Sequence, residues 1–380
     1  MRILKLSAAA AALLATTALA VAQSSSTVGT GGSSAGGGTS SSTVGTGGSA
    51  AGSGTGSGSA STLGTGGSSV MRLLRDHLGP RILGQDADQI EGIWHDLEFF
   101  THATTIGAIT SIALAAIDTA LWDLRAKKFG LPLWKLAGGA KDRCPLYTTE
   151  GGWLHIEPQA LVDDALAAQA KGFSGSKVKI GKPHGAEDFS RLEAVRKAVG
   201  DGYEIMTDCN QGFRLDEAIR RTERLKDIDL AWIEEPLAAD DIDGHVRLSA
   251  STSTPIAVGE SLYSVRHFRE YMQKGGCSIV QVDAGRIGGI TPWLKVAHAA
   301  EAFDIPVCPH FLMELHVSLA CAVPNGKYVE YIPQLDEITG KHMVIENGHA
   351  LAPNEPGIGI DWDWDEVRRR SIDEFTTVIT

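Results

Sequence analysis

Cysteine is scarce in this chain, and no two of its cysteines are spaced to form a motif. Cys144, Cys209, Cys277, Cys308 and Cys321 make an odd total, with no C-x-x-C pair among them. A disulfide framework and a structural zinc site are therefore not expected, and buried reduced thiols are. A Lys/Arg-rich tract is also missing, and the formal net charge is −12. That excludes nucleic acid or an anionic membrane surface as the main partner. It does not exclude an anionic substrate, because a bound metal can reverse the local sign of charge. The longest apolar run, residues 6–22, is Ala-rich and too marginal for a membrane span.

What is present begins with Arg2 and Lys5 ahead of that run, which ends Ala20-Val21-Ala22. A basic start, a short apolar stretch and small residues at its end match a secretory signal peptide over residues 1–22 and predict a periplasmic or secreted protein. Residues 23–70 are mostly Gly, Ser, Thr and Ala, and Ser-Thr-Val-Gly-Thr-Gly-Gly-Ser occurs at both 26–33 and 42–49. Such a segment cannot bury enough apolar surface to offset its chain entropy, so a disordered linker is expected.

Residues 71–140 read as helical. Ile109, Ile112, Ala113, Ala116, Ile117, Ala120, Leu121 and Leu124 recur at intervals of three and four and predict one apolar helix face. Gly130-Leu131-Pro132 stops that helix, and a short second one precedes Gly138-Gly139. From residue 141 to 350 short apolar runs alternate with longer helical stretches. The runs are 144–147, 177–180, 204–207, 230–233, 255–258, 278–282, 305–308 and 328–332. Eight strand–helix units imply parallel strands and a closed (β/α)₈ barrel, a TIM-type α/β fold. The helical stretch before it becomes a partial capping domain, and residues 351–380 a C-terminal segment packing back on that cap.

Polar groups fall at the ends of these runs. Lys177 and Lys179 lie in the second, and Asp208, Glu234, Glu260, Asp283 and His310 end the third to the seventh. Glu330 sits in the eighth. In a parallel barrel all these ends meet at one rim. Asp208, Glu234 and Glu260 come from consecutive units and would repel one another without a cation. All-oxygen donors favour Mg²⁺, one per chain. Asp283 and His310 come from neighbouring units, and a carboxylate on one ring nitrogen raises basicity at the other. Lys177 and Lys179 flank Val178 and share one side of a strand. Two ammonium groups at close range depress each other's pKa, so Lys179 is expected to be a usable base. A competing local reading makes His310, Glu314 and His316 a metal site of their own. Gly285-Arg286-Ile287-Gly288-Gly289-Ile290 lacks the glycine offset of a dinucleotide loop and reads as a tight βα turn.

Taken together, Lys177-Val178-Lys179, Asp208-Cys209-Asn210-Gln211, Trp232-Ile233-Glu234-Glu235-Pro236, Val258-Gly259-Glu260, Val282-Asp283 and Pro309-His310-Phe311 resemble the mandelate racemase branch of the enolase superfamily. Ala116-Ile117-Asp118-Thr119-Ala120-Leu121-Trp122-Asp123 in the cap adds to the likeness, which spans residues 71–365. Stretches 234–245 and 309–316 are most similar to talarate/galactarate-type acid-sugar dehydratases. The resemblance implies that Asp208, Glu234 and Glu260 ligate Mg²⁺. It implies that Lys177 helps hold the substrate carboxylate and the enediolate formed on proton loss, as is known for this superfamily. It makes Lys179 the base on one face and His310, oriented by Asp283, the second base or the acid on the other. Glu330 would hydrogen-bond the enediolate, and Asn210 would support the metal shell and the substrate. A homo-oligomer in the cytoplasm is the family's usual state, which stands against the signal-like start. The family's N-terminal antiparallel sheet, whose loops close the site, has no counterpart in the Gly/Ser-rich start.

Three functions follow as expectations. The first is a Mg²⁺-dependent lyase that dehydrates a hydroxylated sugar acid. The second is a racemase or epimerase of a 2-hydroxy acid with the same site. The third is a lidless, non-catalytic protein that binds metal and carboxylates.

Overall fold

The computed structural model describes residues 67–104 and 106–370, so the signal-like start and most of the linker lie outside the described residues. The linker expected to run to residue 70 gives way earlier. Helix α1 spans Gly67–Leu73, because Val70 packs into an apolar cluster with Leu78, Ile82, Ile93 and Leu97. The cap continues through α2 (Gly79–Ile82), α3 (Ile90–Phe100), α4 (Ala108–Phe129) and α5 (Leu133–Leu136). In α4 the burial is not confined to one face. Residues 110–121 are all buried, while Ile109 and Leu124 are exposed. The reason is that α4 is sandwiched, with α1 and α3 on one side and the barrel on the other. It ends at Gly130, whose left-handed φ of 66° lets its N–H reach back to Ala126 and Lys127.

The barrel strands and helices alternate from residue 143. Their order is β1 (Arg143–Thr148), α6 (Pro158–Ala170), β2 (Gly175–Lys179), α7 (Gly185–Val199), β3 (Glu204–Asp208), α8 (Leu215–Leu225) and β4 (Leu230–Glu234). Then come α9 (Ile242–Ser249), β5 (Ile256–Val258), α10 (Val265–Lys274), β6 (Ile279–Val280), α11 (Ala284–Ile287), α12 (Ile290–Ala302), α13 (Met313–Ala322) and β7 (Val329–Tyr331). Strands β1 to β6 pair in sequence and in parallel. The seventh expected strand, 305–308, shrinks to one bridging residue. Val307 pairs with Val280 on one side and Gly326 on the other. Strand β7 then pairs in parallel with β1, so the (β/α)₈ ring returns on itself. Tyr147, Met206, Trp232, Ala257, Ile279, Cys308 and Tyr328 fill the interior. An antiparallel hairpin, β8 (Ile345–Glu346) and β9 (His349–Leu351), pairs with the start of β1 and was not foreseen. The last helix among the described residues, α14, spans Trp364–Arg370. All five cysteines are free and buried. Among the described residues, no helix is long and apolar enough to cross a membrane.

Cap and barrel join through buried polar contacts. Trp94 Nε1 donates to Gly288 O at 3.0 Å, and Asp118 Oδ2 accepts from Thr291 N at 2.8 Å. Gly289 (φ 121°) must be glycine, since a Cβ there would lie 2.3 Å from Asp118 Oδ2. The segment after the barrel also meets the cap: Asp123 Oδ1 accepts from Ile358 N at 3.0 Å, and Trp134 Nε1 donates to Pro353 O at 2.9 Å.

Burial pushes the Asp118 carboxyl from 3.8 up to about 7, against the Thr291 hydrogen bonds. The folded protein therefore keeps a proton that the unfolded chain has already released, and this contribution to stability fades as pH rises from about 4 to about 7. Asp118→Asn has no such proton to lose. Urea unfolding at pH 5 and pH 8 should show the parent losing more stability over that interval than the variant. Parallel losses would contradict the buried protonated carboxyl.

Candidate active site

Register aligns the first part of the site. Lys179, Asp208 and Glu234 are lateral neighbours at the C-terminal ends of β2, β3 and β4. Just beyond these ends the chain turns outward through left-handed residues: Asn210 (φ 42°), Gln211 (φ 61°), Glu235 (φ 39°), Phe311 (φ 55°) and Leu312 (φ 36°). Non-glycine residues hold that conformation only where their surroundings enforce it, a condition common at functional sites.

The structure brings every anticipated group to this rim. Ligand oxygens of Asp208, Glu234 and Glu260 lie within 4.8 Å of one another, the one such metal-competent group among the described residues. Lys177 Nζ donates to Glu234 Oε1 at 2.8 Å and lies 2.7 Å from Glu330 Oε1. Lys179 Nζ pairs with Asp208 and donates to Asn210 Oδ1 at 2.7 Å. Asn210 N in turn donates to Asp208 Oδ1 at 2.8 Å. At the other end His310 Nε2 lies 3.1 Å from Glu260 Oε2, and its Nδ1 lies 2.8 Å from Asp283 Oδ2. Lys179 and His310 thus flank the carboxylate trio from opposite ends. The rival set fails: His316 has both ring nitrogens on backbone atoms, Ala284 N and Phe311 O, and forms no metal group with His310 and Glu314.

Several partners escaped the sequence reading. Thr149 Oγ1 donates to Glu330 Oε1 at 2.5 Å and Phe311 N to Glu330 Oε2 at 2.9 Å. Gln281 Nε2 donates to Glu234 Oε2 at 2.6 Å, with Trp232 Nε1 at 3.3 Å from the same oxygen. Arg286 Nη1 donates to the Glu260 carbonyl at 3.1 Å. A signal existed for two of these. Thr149 lies just past the first apolar run, the one run with no polar group assigned to it. Gln281 is two residues before Asp283, inside an apolar run.

The site is short of positive charge. Asp208, Glu234, Glu235, Glu260, Asp283 and Glu330 are six carboxylates, against the four cationic groups Lys177, Lys179, Arg286 and His310. Burial, with help from Asp208, Glu330 and Glu260, pushes Glu234 up to about 7 despite Lys177. Burial, with Glu260 and Asp208, pushes Glu235 up to about 8. Burial would also raise Glu330 and Asp283. Lys177 and His310 overrule it at Glu330, and His310 overrules it at Asp283, so each is held at about 2. His310 is raised to about 9, Glu260 and Asp283 outweighing burial. The depression expected at Lys179 does not prevail. Burial and Lys177 do oppose its charge, but Asp208 outweighs them and its pKa is raised. Six acids crowd four cationic groups so closely that Glu234 and Glu235 resist ionising, and the donors are oxygens, so the residues fit one divalent cation of the Mg²⁺ type.

Likeness to known proteins is extensive. Residues 160–367 match the Enolase C-terminal domain-like model. Residues 49–138 match the model of the Mandelate racemase / muconate lactonizing enzyme, N-terminal domain. The L-talarate/galactarate dehydratase of Salmonella typhimurium is 36% identical over 74% of this chain and 71% of its own length. The 3,6-anhydro-alpha-L-galactonate cycloisomerase of Streptomyces coelicolor is 34% identical over 81% of this chain and 85% of its own. The crystal structure of L-talarate dehydratase from Polaromonas sp. JS666, complexed with Mg and L-glucarate, superposes with a TM-score of 0.78. It is 36% identical, and the match covers 82% of this chain and 87% of that one. Both family models and these relatives agree, and the chain belongs to the mandelate racemase/muconate lactonizing enzyme family of the enolase superfamily.

Proposed function

We propose that the protein is a Mg²⁺-dependent lyase that dehydrates a hydroxylated sugar acid of the aldarate or aldonate type. The observation that carries this reading is the carboxylate trio, close enough to share one cation, with Lys179 at one end and the Asp283–His310 pair at the other. Asp208, Glu234 and Glu260 would hold the ion. Once bound, Mg²⁺ supplies positive charge for the substrate carboxylate and for the negative charge that grows when the neighbouring carbon loses its proton. Relatives that are acid-sugar dehydratases, one of them crystallised with Mg and L-glucarate, support the same substrate class.

The chain's own groups then divide the proton traffic. Lys177 presents a buried, fixed charge to the substrate carboxylate. Glu330 accepts from Thr149 and Phe311 and lies against Lys177, so it anchors that ammonium. This differs from the donor role that the family resemblance implies for it. Asn210 steadies Lys179 and Asp208. Lys179 must shed a proton to act as a base. Asp208 opposes that and Lys177 favours it, so engaging Asp208 as a ligand moves Lys179 in the required direction. The carbon-bound proton passes to Lys179 Nζ. The hydroxyl on the next carbon leaves as water, taking the proton from His310 Nε2, and an enol remains to tautomerise. His310 is held cationic by Glu260 and Asp283, and Asp283, which is no metal ligand, keeps supporting that charge when Glu260 holds the ion, so the imidazolium is suited to the acid role at neutral pH.

A second reading, racemase or epimerase, draws on the same two-ended geometry and on the isomerase-type relative. Incubating candidate acids in D₂O separates the two, since deuterium incorporation without loss of water favours the isomerase. For the lyase, a screen of acid sugars with Mg²⁺ should find turnover. Lys179→Ala and His310→Asn should each cut kcat by roughly 10²-fold or more. Variants that match the parent would remove the assigned acid–base roles.

The metal assignment has a readout that needs no substrate. Mg²⁺ at a hundredfold excess over its Kd should stabilise the folded protein by about 2.7 kcal/mol in urea unfolding. Glu260→Gln should abolish that increment. A parent whose unfolding ignores Mg²⁺ would rule the site out.

A further inference from the structure

His316 lies behind the rim, fully buried on α13, yet it touches both turns that carry the Asp283–His310 pair. Its Nε2 accepts from Ala284 N at 3.1 Å, one residue beyond Asp283. Its Nδ1 donates to Phe311 O at 2.6 Å, one residue beyond His310. A peptide N–H can only donate and a carbonyl can only accept, so the ring is neutral with its proton on Nδ1. Trp293 lies alongside with ring centroids 6.4 Å apart, and its own Nε1 donates to Val282 O at 3.1 Å.

Both turns depend on such support. Phe311 and Leu312 are consecutive non-glycine residues in the left-handed region. The Phe311 peptide is held at its N–H by Glu330 and at its carbonyl by His316. On the other turn Asp283 Oδ1 accepts from Gly285 N at 2.7 Å and Arg286 N at 3.1 Å, which leaves Oδ2 for His310. One imidazole therefore spans the two loops whose relative position sets the Asp283–His310 hydrogen bond.

We propose that His316 is a positioning residue for the acid on the His310 face, tying the 283–286 turn to the 310–312 turn so that His310 is presented in one orientation. It deepens the lyase reading and rests on it in taking His310 as the acid. His316 touches none of the metal-competent carboxylates, and Lys179 lies at the far end of the trio. Loss of His316 therefore acts on one half-reaction: expulsion of the hydroxyl suffers, while Lys179-dependent exchange of the carbon-bound proton continues.

Three substitutions test this. His316→Leu keeps neither bond. His316→Asn puts an amide N–H where Nδ1 sits, and His316→Gln puts an amide oxygen where Nε2 sits. With an acid sugar that the parent dehydrates, His316→Leu should lower kcat for dehydration by roughly 10–100-fold, the effect of a slightly misplaced catalytic group. KM, deuterium exchange at the carbon and Mg²⁺-induced stabilisation should stay near the parent's. His316→Asn and His316→Gln should each recover part of the rate. Three variants that behave identically would overturn the proposal. So would a His316→Leu that loses exchange and dehydration equally, or one that loses neither. A second readout needs no substrate. The His310 Nδ1 proton, bonded to Asp283, should give a downfield ¹⁵N-coupled resonance in the parent, retained in the amide variants and lost in His316→Leu. Its survival in His316→Leu would overturn the positioning role. If instead the parent turns over no acid, or His310→Asn dehydrates as well as the parent, the lyase reading fails while the resonance still decides what His316 does.

Discussion

A charge removed from water must meet its opposite, and the mouth of this barrel brings together more carboxylates than its lysines, arginine and histidine can neutralise. Lys177 shows the strain most plainly. It is fully buried and shared between Glu234 and Glu330, with Asp208 at 3.9 Å. Burying an ion is costly unless its partners are close and well oriented, and the neutral groups around it supply that orientation. Gln281 and Trp232 donate to Glu234, and Thr149 and the Phe311 peptide donate to Glu330. What stays uncompensated is the trio itself. Glu234 is pushed up toward neutrality by burial, although Lys177 sits beside it. A site that holds its own carboxylate so reluctantly ionised favours binding a further cation.

The backbone meets this demand at the strand ends. Each acid must turn inward while the chain leaves the rim, and the left-handed residues at 210, 211, 235, 311 and 312 make those turns. None is glycine, so outside support is needed, and hydrogen bonds at the rim supply much of it. Glu235 N bonds to Ala257 O, Gln211 N to Glu235 O, and Phe311 N to the Glu330 carboxylate. At residues 210 and 311 geometry and electrostatics are one problem: Asn210 N donates to the Asp208 carboxylate and Phe311 N to that of Glu330, so one hydrogen bond both partners buried charge and holds a left-handed turn.

Much of this was legible because a parallel barrel converts sequence spacing into spatial convergence. Polar residues ending successive apolar runs had to meet at one rim, which is why Asp208, Glu234, Glu260, Asp283 and His310 could be named from the chain alone. What the spacing left dark has physical causes. The seventh strand is one bridging residue, Val307, held by its neighbours rather than by its own apolar run. The β8–β9 hairpin is too short to leave a pattern. Helix α4 looks amphipathic but is buried almost all round, because cap and barrel cover it from two sides. The charge on Lys179 is favoured rather than opposed, against what its neighbour Lys177 alone would give, because Asp208 sits directly beside it across the strand pair. Neutral partners such as Thr149 and Gln281 carry no charge to betray them.

The cap enters the chemistry from behind. The turn after β6 carries Asp283 and continues through α11 to Gly288 and Gly289, and both glycines lie against the cap. Trp94 holds the Gly288 carbonyl, while Asp118 takes the Thr291 N–H at the start of α12. The same turn is tied on its other side by His316, through Ala284. Asp283 therefore sits on a segment clamped from two directions, by the cap and by α13. The pair it makes with His310 is only as well aligned as those two clamps. A cap that shifted on the barrel would move Asp283 before it moved Asp208 or Glu234, which sit on strands paired on both sides. The His310 face of the site is consequently the one coupled to the cap, and the Lys179 face the one fixed by the barrel.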